Sequence, residues 1–401
     1  MRRHPQAAAD ALAALQQQHL RRTRRTVQGY AGEAGTTQPR WGQAPLVNFC
    51  GNDYLGLARD PRLTAALTTA AARWGVGSGA SHLVTGHTHE HQQLEEELAA
   101  FTGRESALLF STGYMANVGV VSALCGRGER VLQDRLNHAS LIDGARLSGG
   151  RLLRYRHNDV ADAARLLAPA EHATEAGSAV LVATDGVFSM DGDVAPVTGL
   201  AALAQQHQAW LLVDDAHGLG VLGAHGGGVL ELAGLGAQQV PLLVGTLGKA
   251  LGTFGAFVAG ERDLIDFILQ RARSYIYTTA LPPAVAAATR AALTLVRDEP
   301  WRRDRLQVLI ARFRAAALRE GLALGDSQTP IQPVLVGDAA RALAASLALE
   351  QAGYWVTAIR APTVPAGTER LRVTLSAAHQ EAQVDGLVTA LAEALRAQAP
   401  A

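Results

Sequence analysis

Seven short apolar runs recur between residues 106 and 260: "SALLF" (106–110), "RVLQD" (130–134), "RLLRY" (151–155), "AVLVATD" (179–185), "AWLLVDDAH" (209–217), "PLLVGT" (241–246) and "GAFVAG" (255–260). Between most of them lie stretches with helical periodicity, such as "NVGVVSALC" and "LAALAQQH". Strands that are apolar without alternation are covered on both faces, and strands separated by helices pair in parallel through crossovers. The pattern therefore predicts an α/β fold with a mostly parallel central sheet flanked by helices. In such sheets ligands gather beyond the carboxyl ends of the strands, and that is where the chemistry should lie.

A second unit begins near "LPPAVAAATRAALTLVRDEP", where Pro282 and Pro283 suit a helix start. The later runs "IQPVLV" (331–336), "YWVTAI" (354–359) and "RLRVTLS" (370–376), with helices around 338–352 and 379–397, predict a small C-terminal α+β domain. Upstream, Ala7 to Leu20 reads as a short helix with Leu12 and Leu15 at helical spacing. The expected division is an N-terminal helix and arm over 1–45, a large domain over 46–283 and a small domain over 284–401. The 401 residues, 48% of them hydrophobic, suffice for a core of that size.

Acidic and basic residues balance at 36 each, so no overall field recruits nucleic acid or an anionic membrane. No apolar run approaches the roughly 20 residues that span a bilayer, and the expectation is a soluble protein that takes small molecules. The Arg-rich start looks superficially like a transit peptide and lacks the long apolar region and small-residue cleavage site of a secretory signal. Cys50 and Cys125 sit far apart in apolar surroundings, which suits buried thiols in a reducing cytoplasm.

The most specific chemical signal is Lys249 in "LVGTLGKALG", the single lysine among 36 basic residues. Arginine stays charged, whereas a lysine can shed its proton and attack a carbonyl. Lys249 directly follows a strand, in a Gly-rich turn that allows close approach. "LLVDDAHGLG" delivers Asp214, Asp215 and His217 at another strand end. A carboxylate there can hold a proton on a pyridine nitrogen, but strand-end carboxylates also serve metals and nucleotides. "LLFSTGYMANVG" is a strand, then Ser111, Thr112, Gly113 and Tyr114, then a helix, the form of a phosphate cradle. Thr246 adds a hydroxyl three residues before the lysine. His138, in "QDRLNHASLIDGARLS", stands at a helix entrance, where an imidazole could lie flat on an aromatic ring or could simply enter the helix. Together these signals fit one cofactor, pyridoxal 5'-phosphate.

On these and further motifs the chain resembles the α-oxoamine synthases of the fold-type I pyridoxal-phosphate enzymes. The resemblance runs from about residue 10 to 398 through "NDYLGL" (52–57), "HQQLEEELAAFTG" (91–103), "NHASLIDGARLS" (137–148), "HNDV" (157–160), "DGVFSMDGD" (185–193), "VDDAHGLG" (213–220), "TLGKALG" (246–252) and "APTVPAGTERLRVTLSAAH" (361–379). It implies a decarboxylative condensation of L-alanine with a pimeloyl thioester. Lys249 would hold the cofactor and move the α-proton, Asp214 would meet the pyridine nitrogen, and His217 and Ser189 the phenolic oxygen. His138 would stack on the ring and contact substrate. The phosphate would lie on Gly113, Tyr114 and Thr246, with Thr278 reaching over from a second subunit, so a homodimer is implied. Arg372 and Asn52 would receive the substrate carboxylate, and Thr363 and Arg21 further substrate atoms.

Glycine-using relatives, 5-aminolevulinate synthase and 2-amino-3-oxobutyrate ligase, tend to carry an Arg where this chain reads Ser81 and His82, which argues against a glycine substrate. His87 stands where some relatives show Tyr. His82, His87, His89 and His91 suggest a metal, yet their spacing is irregular, and no metal is expected. A non-catalytic relative of the fold is disfavoured by Lys249, Asp214 and His217 occurring together, and a nucleic-acid binder by the zero net charge.

Overall fold

The computed structural model describes residues 5–18, 20–27, 29–31, 38–41, 44–168 and 180–398. All seven apolar runs form strands: β1 Ser106–Phe110, β2 Arg130–Asp134, β3 Arg151–Tyr155, β4 Val180–Asp185, β5 Trp210–Asp214, β6 Leu242–Thr246 and β7 Ala256–Gly260. They make one sheet in the order β1-β7-β6-β5-β4-β2-β3. Pairings among β6, β5, β4, β2 and β3 are parallel, while β7 runs antiparallel to β6 and β1. The exception has a simple cause. Only the short segment 247–255 joins β6 to β7, too few residues for a crossover, so the chain must turn back as a hairpin. Lys249 sits in that hairpin loop.

Every residue of β4 and β7 is buried, as the unalternating runs require. Leu108, Phe110, Val131, Leu181, Leu212, Val244 and Val258 form the core of one face with the helix Gly113–Leu124 and Tyr275.

The chain divides into two compact units, one of residues 52–189 and 193–305 and the other of 1–51, 190–192 and 306–401. The helix Pro283–Asp298 begins as the paired prolines predict, with Pro282 as its cap. It packs on the helices Pro61–Trp74 and His89–Phe101, so it belongs to the larger unit rather than opening the smaller one as expected. A proline pair marks a helix start, which need not be a domain edge. The arm, expected to stand apart, groups with the C-terminal residues: Arg25 pairs with Glu350 at 2.5 Å, and Val47–Asn48 pairs with Tyr354–Trp355. The smaller unit also holds an antiparallel sheet of β8 Ile331–Leu335, β9 Thr357–Ile359 and β10 Arg370–Thr374, ordered β8-β10-β9. Its first helix spans Pro5–Gln17, slightly upstream of the predicted range, because proline is well tolerated in a first turn. Among the described residues no helix is long and apolar enough to cross a membrane.

Candidate active site

Within the larger unit a cavity of about 200 Å³ opens at the carboxyl ends of the parallel strands. It is lined by Gly113, Tyr114, His138, Ser189, Asp214, His217, Thr246 and Lys249, all predicted from sequence. Asn117, Asp185, Val187 and Ala216 line it too. Elements far apart in sequence converge here because parallel strands all end on one side of the sheet.

The lysine turn is clamped from both sides. Gly252 N donates to Lys249 O at 2.9 Å and Leu247 N to Gly255 O at 2.8 Å. Gly252 has φ +68°, and a Cβ there would lie 2.4 Å from Ala58 N, so only glycine closes this loop. Lys249 Nζ meets His217 Nε2 at 2.9 Å, and His217 Nδ1 meets the Tyr54 hydroxyl at 2.7 Å. Tyr54 donates to Asn52 Oδ1 at 3.1 Å, so its oxygen accepts from His217 Nδ1–H. His217 Nε2 then carries a lone pair, which accepts from the lysine. A neutral imidazole in this tautomer orients the amine without repelling it.

Asp214 is buried at the end of β5. Its Oδ1 accepts from Ala216 N at 3.0 Å and its Oδ2 from Asn117 Nδ2 at 2.5 Å. His138 caps the helix Ala139–Ser148, with Nδ1 2.7 Å from Ser140 Oγ. Burial lowers its pKa, while Asp214 opposes the change and Lys249 adds to it. Asp215, the other predicted strand-end carboxyl, turns away from the cavity and accepts from Val229 N at 2.7 Å. Burial pushes its pKa up to about 8. Three glycines make room for it, most tightly Gly228, where a Cβ would lie 1.8 Å from Oδ2. Asp215 is thus a structural acid.

The phosphate cradle follows from helix capping. Thr112 caps the helix Gly113–Leu124 by accepting from Met115 N at 3.2 Å, which leaves the N–H groups of Gly113 and Tyr114 without an intrahelical acceptor. A Cβ at Gly113 would meet nothing within 4 Å, so the space above these donors is open to an anion. Tyr114 OH donates to Asp143 Oδ2 at 2.5 Å, and Thr246 Oγ1 to Gly255 O at 3.1 Å.

The remaining predicted residues do not line the cavity. Thr278 is half-buried beyond the helical turn Arg273–Ile276, and its N–H donates to Tyr275 O at 3.3 Å. In the smaller unit Arg21 is exposed, and the arm residue that reaches Thr363 is Arg22, at 3.2 Å. Arg372 is buried in the middle strand of its sheet, opposite Pro333 and Thr357.

Of the four clustered histidines, His82, His87 and His91 do come together, their ligating atoms all within 4.8 Å. The irregular spacing is bridged by a wide π-helical turn over His82–Gly86. Hydrogen bonds occupy these nitrogens: His82 Nδ1 lies 2.9 Å from His87 Nδ1, and His91 Nδ1 accepts from Thr88 N at 3.0 Å. His91 Nε2 donates to Leu281 O at 2.7 Å. Burial first, then the neighbouring imidazoles, lower the His82 pKa to about 3.

An amine at a strand end, a buried carboxylate and an open helix N-terminus around one small cavity suit pyridoxal phosphate, whose aldehyde, ring nitrogen and phosphate need those partners. Fold and cavity together define an enzyme of the fold-type I pyridoxal-phosphate class. Comparison with known proteins agrees. Residues 44–391 match the family described as aminotransferase class I and II. An 8-amino-7-oxononanoate synthase from Methylococcus capsulatus is 63% identical over 356 residues, 89% of this chain and 91% of the relative. Among solved structures, serine palmitoyltransferase from S. paucimobilis with a bound PLP-myriocin aldimine superposes with a TM-score of 0.90 at 31% identity, covering 98% of this chain and 97% of that one. 8-Amino-7-oxononanoate synthase from Francisella tularensis gives a TM-score of 0.76 at 29% identity, covering 88% and 98%. The chain belongs to the class I and II aminotransferase family of pyridoxal-phosphate enzymes, and within it to the 8-amino-7-oxononanoate synthases.

Proposed function

We propose that the chain condenses L-alanine with a pimeloyl thioester, losing carbon dioxide and forming 8-amino-7-oxononanoate for biotin synthesis. The observation that carries this reading is the 63% identity to a relative of that name, over nearly the whole chain, together with the lysine-centred cavity. Serine palmitoyltransferases superpose well at 31% identity, but curated 8-amino-7-oxononanoate synthases reach 63%. Bound pyridoxal phosphate supplies an aldehyde that takes up amines covalently and a ring that draws electrons from the substrate's α-carbon.

Lys249 would be the amine that holds the cofactor's aldehyde, and its Nζ would move the substrate's α-proton. His217, held by Tyr54, orients Lys249 Nζ and faces the phenolic oxygen with Ser189. Asp214 would hold the proton of the ring nitrogen, and His138 would lie against the ring. Gly113 and Tyr114 bind the phosphate through their N–H groups. Thr246 would add its hydroxyl to them. Thr278 serves the same phosphate from the second subunit of a homodimer. Arg372 and Asn52 receive the alanine carboxylate, and Thr363 and Arg21 further substrate atoms. The two cysteines are free thiols, in keeping with a cytoplasmic enzyme.

The test is carbon dioxide release with alanine, glycine and serine crossed with pimeloyl, succinyl, acetyl and palmitoyl donors. Alanine with the pimeloyl donor should give the highest kcat/KM. A win for glycine with a short donor, or serine with palmitoyl, would move the activity to a sister enzyme.

A further inference from the structure

Two carboxyl groups stand side by side in the cavity wall: Asp185 and Asp214 are direct partners in the parallel ladder of β4 and β5. Neighbouring like charges push their protonation apart, and the surrounding donors decide which group keeps a proton. These donors are unevenly shared. Asp214 has one on each oxygen, from Ala216 N and Asn117 Nδ2. Asp185 accepts from His138 N at 2.9 Å on Oδ2, and its Oδ1 has no hydrogen-bond partner among the described residues. Burial first, then the charge of Asp214, hold Asp185 well above the usual carboxylate range. Lys249 pulls the other way, and Asp134 reinforces the effect.

Asn117 joins this pair to the stacking histidine. It is 1% exposed, and its Nδ2 contacts both Asp214 Oδ2, at 2.5 Å, and Ser140 Oγ, at 2.9 Å. Turning the amide over would set its oxygen against the carboxylate, which fixes the assignment. Ser140 Oγ accepts from Asn117, so its own hydrogen goes to His138 Nδ1, which also accepts from Ser140 N at 3.3 Å. The neutral His138 ring therefore carries its hydrogen on Nε2.

We propose that Asn117 is a positioning residue for the reaction: one amide hydrogen holds Asp214 Oδ2 in place beside Asp185, and the other, through Ser140 Oγ, fixes the His138 tautomer. The role rests on the pyridoxal-phosphate reading. It adds a residue outside the cofactor-binding set and makes cofactor affinity and ring protonation depend on a side chain that carries no charge.

The test compares the full-length protein with Asn117→Leu, similar in shape but without donors, and Ser140→Ala, which cuts only the branch to His138. Cofactor affinity is read by titrating the cofactor-free protein with pyridoxal phosphate. Ring protonation is read from the pH at which the bound cofactor's absorbance changes, and the tautomer from imidazole nitrogen resonances. Asn117→Leu should bind pyridoxal phosphate about 10- to 100-fold more weakly, the effect of losing a hydrogen bond to a charged group, and shift the absorbance titration. Ser140→Ala should bind within about threefold of wild type yet show a weaker preference for one His138 tautomer, since only the backbone N–H of residue 140 is left to hold Nδ1 as an acceptor. A folded Asn117→Leu protein with wild-type affinity and absorbance titration overturns the proposal. If that variant does not fold, Asn117→Ser is judged by the same criterion. Wild-type protein that takes up no pyridoxal phosphate overturns the cofactor reading itself, a separate outcome.

Discussion

His157 lies between two carboxylates, with Nδ1 3.1 Å from Asp134 Oδ1 and Nε2 2.7 Å from Asp193 Oδ2. Burial lowers its affinity for a proton, but the hydrogen bonds and charges of the two aspartates outweigh that and raise its pKa from 6.5 to about 9. The folded state thus holds the proton more tightly than the unfolded chain does. The stabilisation is complete below pH 6.5, declines as pH rises, and is gone above about 9. At 1.36 kcal/mol per pH unit the interval corresponds to up to about 3 kcal/mol. His157→Gln keeps polar contacts but carries no charge. Urea unfolding of wild type and variant, below pH 6.5, near 8 and above 9, should show a stability difference that is largest in acid and vanishes in base. Subtracting the two curves cancels titrating groups that do not touch His157. A difference that stays constant with pH, or grows in base, would refute the reasoning.

The same clamp bears on the site. Phe188 N donates to Asp193 O at 3.0 Å, Val187 bridges Val194, and the Phe188 ring meets His157 edge-on at 4.4 Å. His157 therefore braces the segment that carries Ser189. His157→Gln should also weaken cofactor binding, and more so in acid, where wild type gains most from the clamp.

Lys249→Arg should fold yet show no covalent cofactor after borohydride reduction and peptide mapping, because a guanidinium stays charged; a labelled peptide spanning the turn would contradict this. Glu95 is buried, and burial raises its pKa to about 8 despite the hydrogen bond from Leu109 N. Its stabilising effect is full below pH 4.5 and fades as pH rises through 8, so Glu95→Gln should gain by more than about 1 kcal/mol over wild type in base and not in acid. Unfolding curves with no pH-dependent gain would count against it. Gly228→Ala, with φ +84° and a Cβ 1.8 Å from Asp215 Oδ2, should lose at least about 2 kcal/mol in urea unfolding. An unchanged midpoint would mean the acid has room to move.

The strands were legible because burial on both faces leaves uninterrupted apolar runs, and each run of the sheet became a strand within a few residues. The antiparallel β7 was legible only in retrospect, from the shortness of the 247–255 link. Unit boundaries were not. Pro282 and Pro283 signal where a helix begins, but the partners of that helix, the segments Pro61–Trp74 and His89–Phe101, depend on packing between distant faces. That His82, His87 and His91 come together was not legible for a related reason: spacing along the chain presumes a regular helix, and the turn over His82–Gly86 is π-helical.

In the site, residue type alone reveals a group whose chemistry no other side chain performs, and that is why Lys249 stands out. Asn117, Asp185 and Tyr54 all lie inside quoted motifs, yet nothing in their type marks them. An amide matters here because of what it bridges: Asn117 reaches Asp214 across 97 positions and Ser140 across 23. Tyr54 reaches His217 across 163. Such partners exist only once the parallel strands have brought their ends together. The lysine's amine is oriented by His217, which is set by Tyr54, and Asp214 is held by Asn117, so the part of the site that fixes proton positions is the part that only the fold supplies. It follows that exchanging Asn117 or Tyr54 should alter protonation and affinity while leaving the covalent attachment at Lys249 intact, whereas exchanging Lys249 should abolish that attachment.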